Sequence, residues 1–579
     1  MTIDALLPPP PIDATPAPPE GPRRYLRLTL EAWLAIGAFA ILCIVVLATT
    51  PSMLEPDDYA YRASIIALSH GHIWLSASQY ASLAHQLVLS DGGHSSGIVQ
   101  WVHRANGTWI SEKNPGYPFF AVPFFEVGLL RVAPLFYGGL ASIALYIGGR
   151  RWLGRWGGTA AVAMFVSSGA AMIFAWRSTM PTFTDASMVA AGCGLLIWAL
   201  LNDEATETRR TVVGLLAFLA FDAAVFIRYT NLVALGVAVA VTVLVWIFAR
   251  RTMPTKRAAI LLGSQALFAV LIASLNAWLY GGATSTGYST GEITFSLGAF
   301  SGNLHVMPKP LIEAMPVIAL ALIAVIWIVA SFVRGRVTRS PRAGAGRDLA
   351  VAAGLTAVWL GVFGLYFFYN WTAQMGGGGG AMGGGHLPSG LHLPSGGHLP
   401  SGVHLPTGSH GFGGKGGIGG GGGDIVHIVR FYVPAIGPMA LLAAWLLTRI
   451  KIKAISIAIV VAVFALGFWG FSTMSSSGGL GGGFGGGFGP GGNAQTGSAS
   501  SKCHLPAGMS LPSGVPSGGF PSGGAPPSGS SGGFGPPNGA KNSQGFIPPS
   551  GGFPGGAGRC TPANSKAKAT STTTTTTLG

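Results

Sequence analysis

Two adjacent carboxylates, Asp57 and Asp58, follow the first hydrophobic segment of the chain, Leu28–Thr49. Charged side chains are costly to place at the mouth of a membrane-crossing segment, so a pair of them usually binds a ligand or takes part in a reaction. A carboxylate in this place can accept the proton of an incoming hydroxyl group. Asp also caps helix N-termini, but one cap needs one carboxylate, and the pair therefore favours chemistry over a purely structural role.

Basic and polar side chains recur near the ends of the apolar segments, on the side of the membrane predicted to hold Asp57 and Asp58. Together with those two they are Lys113, Arg131, Arg177, Asp185, Arg228, Tyr229, Asn231, Lys309 and Arg430. Arg and Lys hold phosphate through charge-assisted hydrogen bonds, which for Arg are often bidentate. This set of residues predicts a site for an anionic lipid headgroup.

Several of these residues also have a structural interpretation. A single basic residue at a span end commonly extends its side chain to the membrane interface, which would account for Lys113, Arg131 and Lys309. Asp185 would cap a helix that starts at Ala186. Asp222 lies within an apolar segment, where a structural partner in the helix bundle is the expected role.

The composition is that of an integral membrane protein. Of 579 residues only 9% are charged, and the mean hydropathy is +0.50. The long apolar stretches can cross about 30 Å of hydrocarbon as helices, and they lack the alternation of barrel strands. The formal charge of +15 would suit nucleic acid. However, Lys and Arg occur in small groups between apolar segments, as in the cytoplasmic loops of membrane proteins, so no nucleic-acid partner is predicted. The predicted fold is an all-α polytopic membrane protein, and its partner is the lipid bilayer.

The basic groups also predict the topology, because Lys and Arg resist translocation and mark cytoplasmic loops. Placing all the groups inside predicts about eleven spans in a plasma membrane, with the N-terminus cytoplasmic and the C-terminus extracytoplasmic. The predicted spans begin near residues 28, 132, 157, 184, 212, 231, 258, 314, 349, 431 and 454. The Pro-rich stretch Pro115–Arg131 is interpreted as interfacial or re-entrant, and Tyr59–Ser69 and Ala77–Leu89 as short amphipathic helices.

The chain divides by composition into five regions. The first is a Pro-rich cytoplasmic tail (1–27), and the second is a transmembrane region (28–373) that contains a first outer loop at 50–131. A Gly/His-repeat outer loop (374–424), a last pair of spans (425–473) and a Gly/Ser/Pro-rich tail (474–579) follow. The Gly-rich loop and the tail cannot bury enough apolar surface to offset their ordering entropy, so both are predicted to be disordered.

A histidine repeat stands out in the Gly-rich loop. It places a histidine every six residues, at His386, His392, His398 and His404. Six residues are two turns of polyproline II, so the imidazoles would share one face and could bind a metal, and expansion of a flexible spacer is the alternative. The sequence leaves open whether Cys503 and Cys560 in the tail form a disulfide.

Short motifs follow one another along the chain. They are Asp57-Asp58-Tyr59 with Ala63 and Gly71-His72-Ile73, Lys113-Asn114-Pro115-Gly116-Tyr117-Pro118, Arg150-Arg151-Trp152-Leu153-Gly154, Trp176 to Asp185, Arg228-Tyr229-Thr230-Asn231, and Arg430-Phe431-Tyr432-Val433-Pro434. Their order resembles that of GT-C glycosyltransferases, in the branch of the protein mannosyltransferases and aminoarabinose transferases. The resemblance covers about residues 28–235 and resumes near 425–448, and the Gly/His repeat replaces the family's loop before Arg430.

The resemblance implies a GT-C-like bundle and a transferase that takes a sugar from a polyprenyl-phosphate donor. The acceptor would be a hydroxyl group of a protein, lipid or glycan on the extracytoplasmic side. It implies that Asp57 is the general base and that Asp58 or Asp185 orients the acceptor or the base. Direct displacement at the anomeric carbon would invert its configuration.

The resemblance also implies how the donor is held. Lys113, Arg228 and Arg430 would stabilise the departing lipid phosphate. Further substrate contacts are expected from Tyr59, Arg177, Tyr229 and Asn231. No metal is required because side chains can neutralise the phosphate, although some members of the wider superfamily use a divalent cation bound by acidic residues.

Two other classes of protein share some of these features. A transporter or flippase of a lipid-linked or anionic solute would also need cations and carboxylates in a bundle, but it should show paired hydropathy halves and discontinuous helices at mid-membrane depth. A surface-anchoring protein without catalytic activity would present the Gly-rich tail. Release of lipid phosphate from a labelled donor separates the three.

Overall fold

The computed structural model describes residues 28–49, 51, 56–90, 100–104, 106–288, 294–338, 344–370, 426 and 428–476. The N-terminal tail, the Gly/His repeat, and the C-terminal tail with Cys503 and Cys560 lie outside the described residues. The interpretations of those regions therefore stay predictions.

The chain begins with an apolar helix and a small outer-loop domain. Helix α1 (Leu30–Leu47) is capped by the Thr29 hydroxyl, which accepts from the Ala32 amide. The outer loop then holds α2 (Pro56–Ser69), β1 (Trp74–Leu75), α3 (Ala77–Ser90), β2 (Trp101–His103), β3 (Trp109–Ser111) and α4 (Gly116–Glu126). The antiparallel strands pair in the order β1-β3-β2. Both short helices that the sequence predicted here are present, and α4 occupies the Pro-rich stretch.

A core of apolar helices follows the outer loop. It contains α5 (Ala133–Leu153), α6 (Arg155–Val166), α7 (Gly169–Trp176), α8 (Thr182–Leu201), α9 (Glu207–Ile227), α10 (Leu232–Phe248) and α11 (Thr255–Tyr280). The remaining helices are α12 (Leu297–Val306), α13 (Pro308–Ala314), α14 (Val317–Val337), α15 (Ala345–Phe367), α16 (Ile436–Arg449) and α17 (Lys453–Ser476). Short 3₁₀ turns precede α5, α10 and α16, at Leu130–Val132, Tyr229–Asn231 and Val433–Ala435.

Within the described residues, nine helices are long and apolar enough to cross a membrane. Helices α6 and α7 form a tenth span if they count as one, although the axis bends by 62° between them. The apolar segment Val433–Arg449 is shorter. Each predicted span thus coincides with an apolar helix, but length and composition do not establish eleven crossings.

The bend between α6 and α7 has a local cause. Ser168 leaves the helical conformation and caps α7, with its hydroxyl accepting from the Ala171 amide at 3.0 Å. Helix α17 packs against this break: a Cβ atom at Gly467 would lie only 1.7 Å from the Ser167 carbonyl oxygen. The absence of a side chain at Gly467 lets the two backbones touch.

The basic ends of the helices meet at one end of the bundle. Arg151 pairs with Glu204 at 2.8 Å, Arg257 with Glu207 at 3.4 Å and Arg449 with Asp348 at 2.6 Å. Asp348 also accepts from the indole N–H groups of Trp152 and Trp445, each at 3.0 Å, and so joins α5, α15 and α16. This is the end of the bundle that the sequence places in the cytoplasm.

Candidate active site

The acidic pair lies in the first turn of α2 and its two side chains bind different partners. Asp57 accepts from Lys113 Nζ at 2.9 Å and from Arg430 Nη1 at 2.5 Å. Asp58, 1% exposed, binds the guanidinium of Arg177 and accepts from the Thr179 hydroxyl at 2.6 Å. Neither carboxylate acts only as a helix cap.

Electrostatics keep Asp57 ionised. Burial raises the pKa of Asp57, but the charges of Arg430 and Lys113 outweigh burial and hold that pKa well below its ordinary range. The side chain is 13% exposed, so water screens these ion pairs only weakly. In this arrangement Asp57 is a stable anion and a weak base.

A third carboxylate joins the same network from α8. Asp185, fully buried, pairs with Arg228 Nε at 3.3 Å. Arg228 also donates to the backbone oxygen of Arg430 at 3.3 Å and to the Thr182 hydroxyl at 3.2 Å. The hydrogen bond from Arg228 to the Arg430 backbone thus links the Asp185 ion pair to the Asp57 ion pair. Helix α8 begins at Thr182, so Asp185 lies inside its first turn and does not cap a helix starting at Ala186.

Close backbone packing brings these segments together. A Cβ atom at Gly116 would lie 2.3 Å from the carbonyl oxygen of Phe226, so the start of α4 rests directly on the end of α9. Lys113 immediately precedes α4 and Arg228 follows α9, so this contact places both cations at one site. Tyr117 adds a second tie, because its hydroxyl donates to the Ser178 backbone oxygen in the loop that carries Arg177.

The network has an excess of positive charge. Counting the described residues joined by these ion pairs, four cations (Lys113, Arg177, Arg228 and Arg430) face three carboxylates. Positive charge fixed before a ligand arrives stabilises an anion without reorganisation. The site can therefore receive an anionic group and offers a carboxylate beside it.

The other predicted residues have mostly structural contacts. The Tyr229 hydroxyl donates to Asn276 Oδ1 at 2.5 Å, and Asn231 Nδ2 donates to the Ala224 backbone oxygen at 2.9 Å. Tyr59 is buried on α2, one residue beyond the acidic pair. Their predicted roles in substrate binding stay predictions.

Of the three cations for which an interfacial position was the alternative, Lys113 binds Asp57, whereas Arg131 and Lys309 have other partners. Arg131 donates to the backbone oxygens of Val46 and Thr49, at the end of α1. Lys309 is exposed and lies 3.9 Å from Glu313. Asp222 is in the bundle, where Gln265 Nε2 donates to it at 3.3 Å, as expected for a structural partner.

Several residues at the site were missed by the sequence analysis. Thr179 binds Asp58, Phe431 lies 4.8 Å from Arg430 by its ring centroid, and the Tyr288 hydroxyl accepts from Lys113 Nζ at 3.2 Å. Thr179 and Phe431 are in stretches that carried quoted motifs, so the signal was available. Tyr288 is in a Gly/Ser/Thr-rich loop whose composition gave no such signal.

A cavity of about 320 Å³ opens beside the Asp58 contact. Its lining includes Arg62, Arg177, Thr179 and, on the apolar side, Phe125 and Leu130. Arg177 and Thr179, which hold Asp58, are thus part of the wall of this cavity.

The described residues do not fit a resident divalent cation. Each of Asp57, Asp58 and Asp185 is already engaged by a basic side chain. No group of three or more His, Cys, Asp or Glu side chains gathers anywhere in the described ranges.

Comparison with known proteins gives partial likenesses. No protein-family model matches the sequence, and no curated protein matches it. The fold is similar to the Archaeoglobus fulgidus oligosaccharyltransferase in its apo form, with TM-score 0.41 and 10% identity over 78% of this chain and 56% of that one. The same enzyme with Zn and sulfate gives TM-score 0.40 and 11% identity over 76% and 53%.

A third structure, the archaeal oligosaccharyltransferase AglB from Archaeoglobus fulgidus with an inhibitory peptide and a dolichol-phosphate, gives TM-score 0.39 and 10% identity over 77% of this chain and 56% of that one. The chain thus spans about half the length of these structures.

Proposed function

We propose that the protein is a membrane glycosyltransferase that moves a sugar from a polyprenyl-phosphate donor to a hydroxyl acceptor on the extracytoplasmic side. The observation that carries the proposal is the linked network itself. Three aspartates and four basic residues, separated by up to 373 positions in the chain, meet at the end of the bundle opposite the Arg-rich ends. The motif order that resembles GT-C glycosyltransferases supports the same chemistry.

The reaction needs one base and one anion-binding site. Asp57 takes the proton of the acceptor hydroxyl, and the acceptor oxygen forms a bond to the anomeric carbon. The bond from that carbon to the phosphate oxygen breaks, and the electron pair leaves with the polyprenyl phosphate. Lys113, Arg228 and Arg430 neutralise the developing charge on that phosphate. Asp58 and Asp185 orient the acceptor and the cations, and the displacement inverts the anomeric configuration.

Donor binding would also activate the base. Arg430 and Lys113, which pair with Asp57, are also the cations expected to bind the donor phosphate. A phosphate that draws these two cations to itself leaves Asp57 with fewer positive neighbours, so its pKa rises. A carboxylate with a higher pKa is a stronger base. The acceptor would then be deprotonated only when the donor is in place.

The test uses purified protein in lipid nanodiscs with a radiolabelled polyprenyl-phosphate hexose. A transferase releases the lipid phosphate and labels the acceptor. A transporter or flippase moves the intact donor across a bilayer without breaking it, and an anchoring protein does neither. Turnover that is unchanged by a chelator is expected, because side chains supply the positive charge. Intact donor after prolonged incubation with crude acceptor fractions would overturn the proposal.

A further inference from the structure

The loop that follows α11 is seated directly on the segment that carries Lys113. A Cβ atom at Gly287 would lie 2.4 Å from the Glu112 Cα atom and 2.6 Å from its carbonyl oxygen. The loop is also tied to a span end: Asn276 Nδ2 donates to the Ala283 oxygen at 3.4 Å and its Oδ1 accepts from the Tyr229 hydroxyl. The position of this loop over the site therefore depends on a glycine at 287.

Tyr288, the next residue, enters the ion-pair network. Its hydroxyl oxygen accepts from Lys113 Nζ at 3.2 Å, and the same ammonium lies 5.1 Å from its ring centroid. Burial, and then the negative charge of Asp57, raise the pKa of Tyr288, while Arg228 and Arg430 oppose this. The phenol therefore keeps its proton at neutral pH and remains a hydrogen-bond donor.

The direction of the Lys113 contact determines what Tyr288 offers a ligand. An ammonium group can only donate, so the tyrosine oxygen accepts and its own hydrogen is left to donate. A hydroxyl that accepts from a cation becomes a stronger donor, because hydrogen bonds in a chain polarise one another. The acceptor that fits beside Lys113 and Arg430 is an anionic oxygen.

We propose that Tyr288 is a phosphate-binding residue, whose hydroxyl donates to a phosphate oxygen of the polyprenyl donor and of the polyprenyl-phosphate product. This inference rests on the proposed function, since it assigns a further contact to the same anion site. Gly287 acts as a positioning residue, because it allows the loop to approach Glu112 closely enough for Tyr288 to reach Lys113.

Binding of farnesyl phosphate and of farnesol to the purified full-length protein tests the hydroxyl group. Tyr288→Phe removes the donor and keeps the ring, so affinity for farnesyl phosphate should fall about tenfold or more, as for loss of a hydrogen bond to a charged group. Affinity for farnesol should not change. Tyr280→Phe is the matched control, because the Tyr280 hydroxyl contacts the Ser111 backbone oxygen at 3.5 Å instead.

A second variant tests the packing of the loop at Gly287 against Glu112. Gly287→Ala forces the loop away from Glu112 and should weaken farnesyl phosphate binding to a similar degree while Tyr288 is still present. Gly263→Ala on α11 has no atom within 4 Å of the added methyl group and should bind like the unchanged protein.

The outcomes separate two failures. If the unchanged protein binds farnesol as well as farnesyl phosphate, the proposed anion site is wrong and the role of Tyr288 goes with it. If the unchanged protein prefers the phosphate and Tyr288→Phe keeps that preference in full, only the assignment of Tyr288 is overturned.

Discussion

In the proposed reaction Asp57 has the most demanding position, because it would act as a base while two cations hold it. Lys113 and Arg430 contact its two oxygens separately, at 2.9 Å and 2.5 Å. These two ion pairs keep the carboxylate ionised, and in the proposed reaction the donor phosphate would draw the two cations away from it.

Asp57→Asn should lower sugar transfer by about 10²-fold or more, because an amide cannot take the acceptor proton. The measurement is the initial rate of lipid-phosphate release at saturating donor. Asp203→Asn is the matched control, since Asp203 is 78% exposed at the opposite end of the bundle. Near-normal turnover in the Asp57 variant would remove this residue from the mechanism.

The Asp57 ion pairs should stabilise the protein at neutral pH and lose their effect only in strong acid. The pKa of Asp57 is lowered on folding, from about 3.9 in an unfolded chain, so the contribution is complete above that pH and declines as the pH falls below it. We expect the difference in thermal unfolding temperature between the unchanged protein and Asp57→Asn to be constant from about pH 7 to pH 5 and to shrink below about pH 4. A difference that instead vanished near neutral pH would contradict the ion-pair assignment.

At the scale of elements, close packing of small residues sets the distances between the helices that carry the site. A Cβ atom at Gly148 on α5 would lie 2.2 Å from the Gly194 oxygen on α8, and one at Gly194 would lie 2.4 Å from the Ala144 oxygen. Small residues in these places let helix backbones approach closely in a membrane, where van der Waals packing drives association. Helix α8 also carries Asp185, so its fit against α5 affects the site.

Gly194→Ala should destabilise the protein by about 1–3 kcal/mol, because the added methyl group meets a backbone oxygen that cannot move aside cheaply. Thermal unfolding in detergent measures the effect. Gly236→Ala on α10 is the control, since its added methyl group has nothing within 4 Å. Equal stability of the two variants would show that α5 and α8 do not touch as described.

At the scale of the whole molecule, the charge distribution predicts which end faces the cytoplasm. Ser78 is exposed in the outer-loop domain near the site, and Thr208 is exposed in the first turn of α9 at the basic end. In a variant without native cysteines, an impermeant maleimide should label Ser78→Cys in intact cells. It should label Thr208→Cys only after permeabilisation, because the positive loops stay inside. The reverse pattern would place the site on the cytoplasmic face and end the proposed function.

The sequence by itself determined the apolar helices and their order, because a run of apolar residues long enough for the bilayer forms a helix whatever it packs against. It also singled out the charged residues that meet at the site, since charge at span ends is costly and therefore informative. What it could not determine was their pairing. Asp57 and Arg430 are 373 positions apart, and no local pattern encodes that distance.

Only the tertiary structure decided which cation holds which carboxylate, and that Tyr288 lies among them. Those contacts depend on close backbone approaches at Gly116 and Gly287. The hydropathy pattern of the sequence does not indicate which glycines make such approaches. The same holds for Asp185, for which capping a helix was the alternative to a place in the site. Helix α8 starts at Thr182, four residues before Ala186, and so places the Asp185 carboxylate inside its first turn against Arg228.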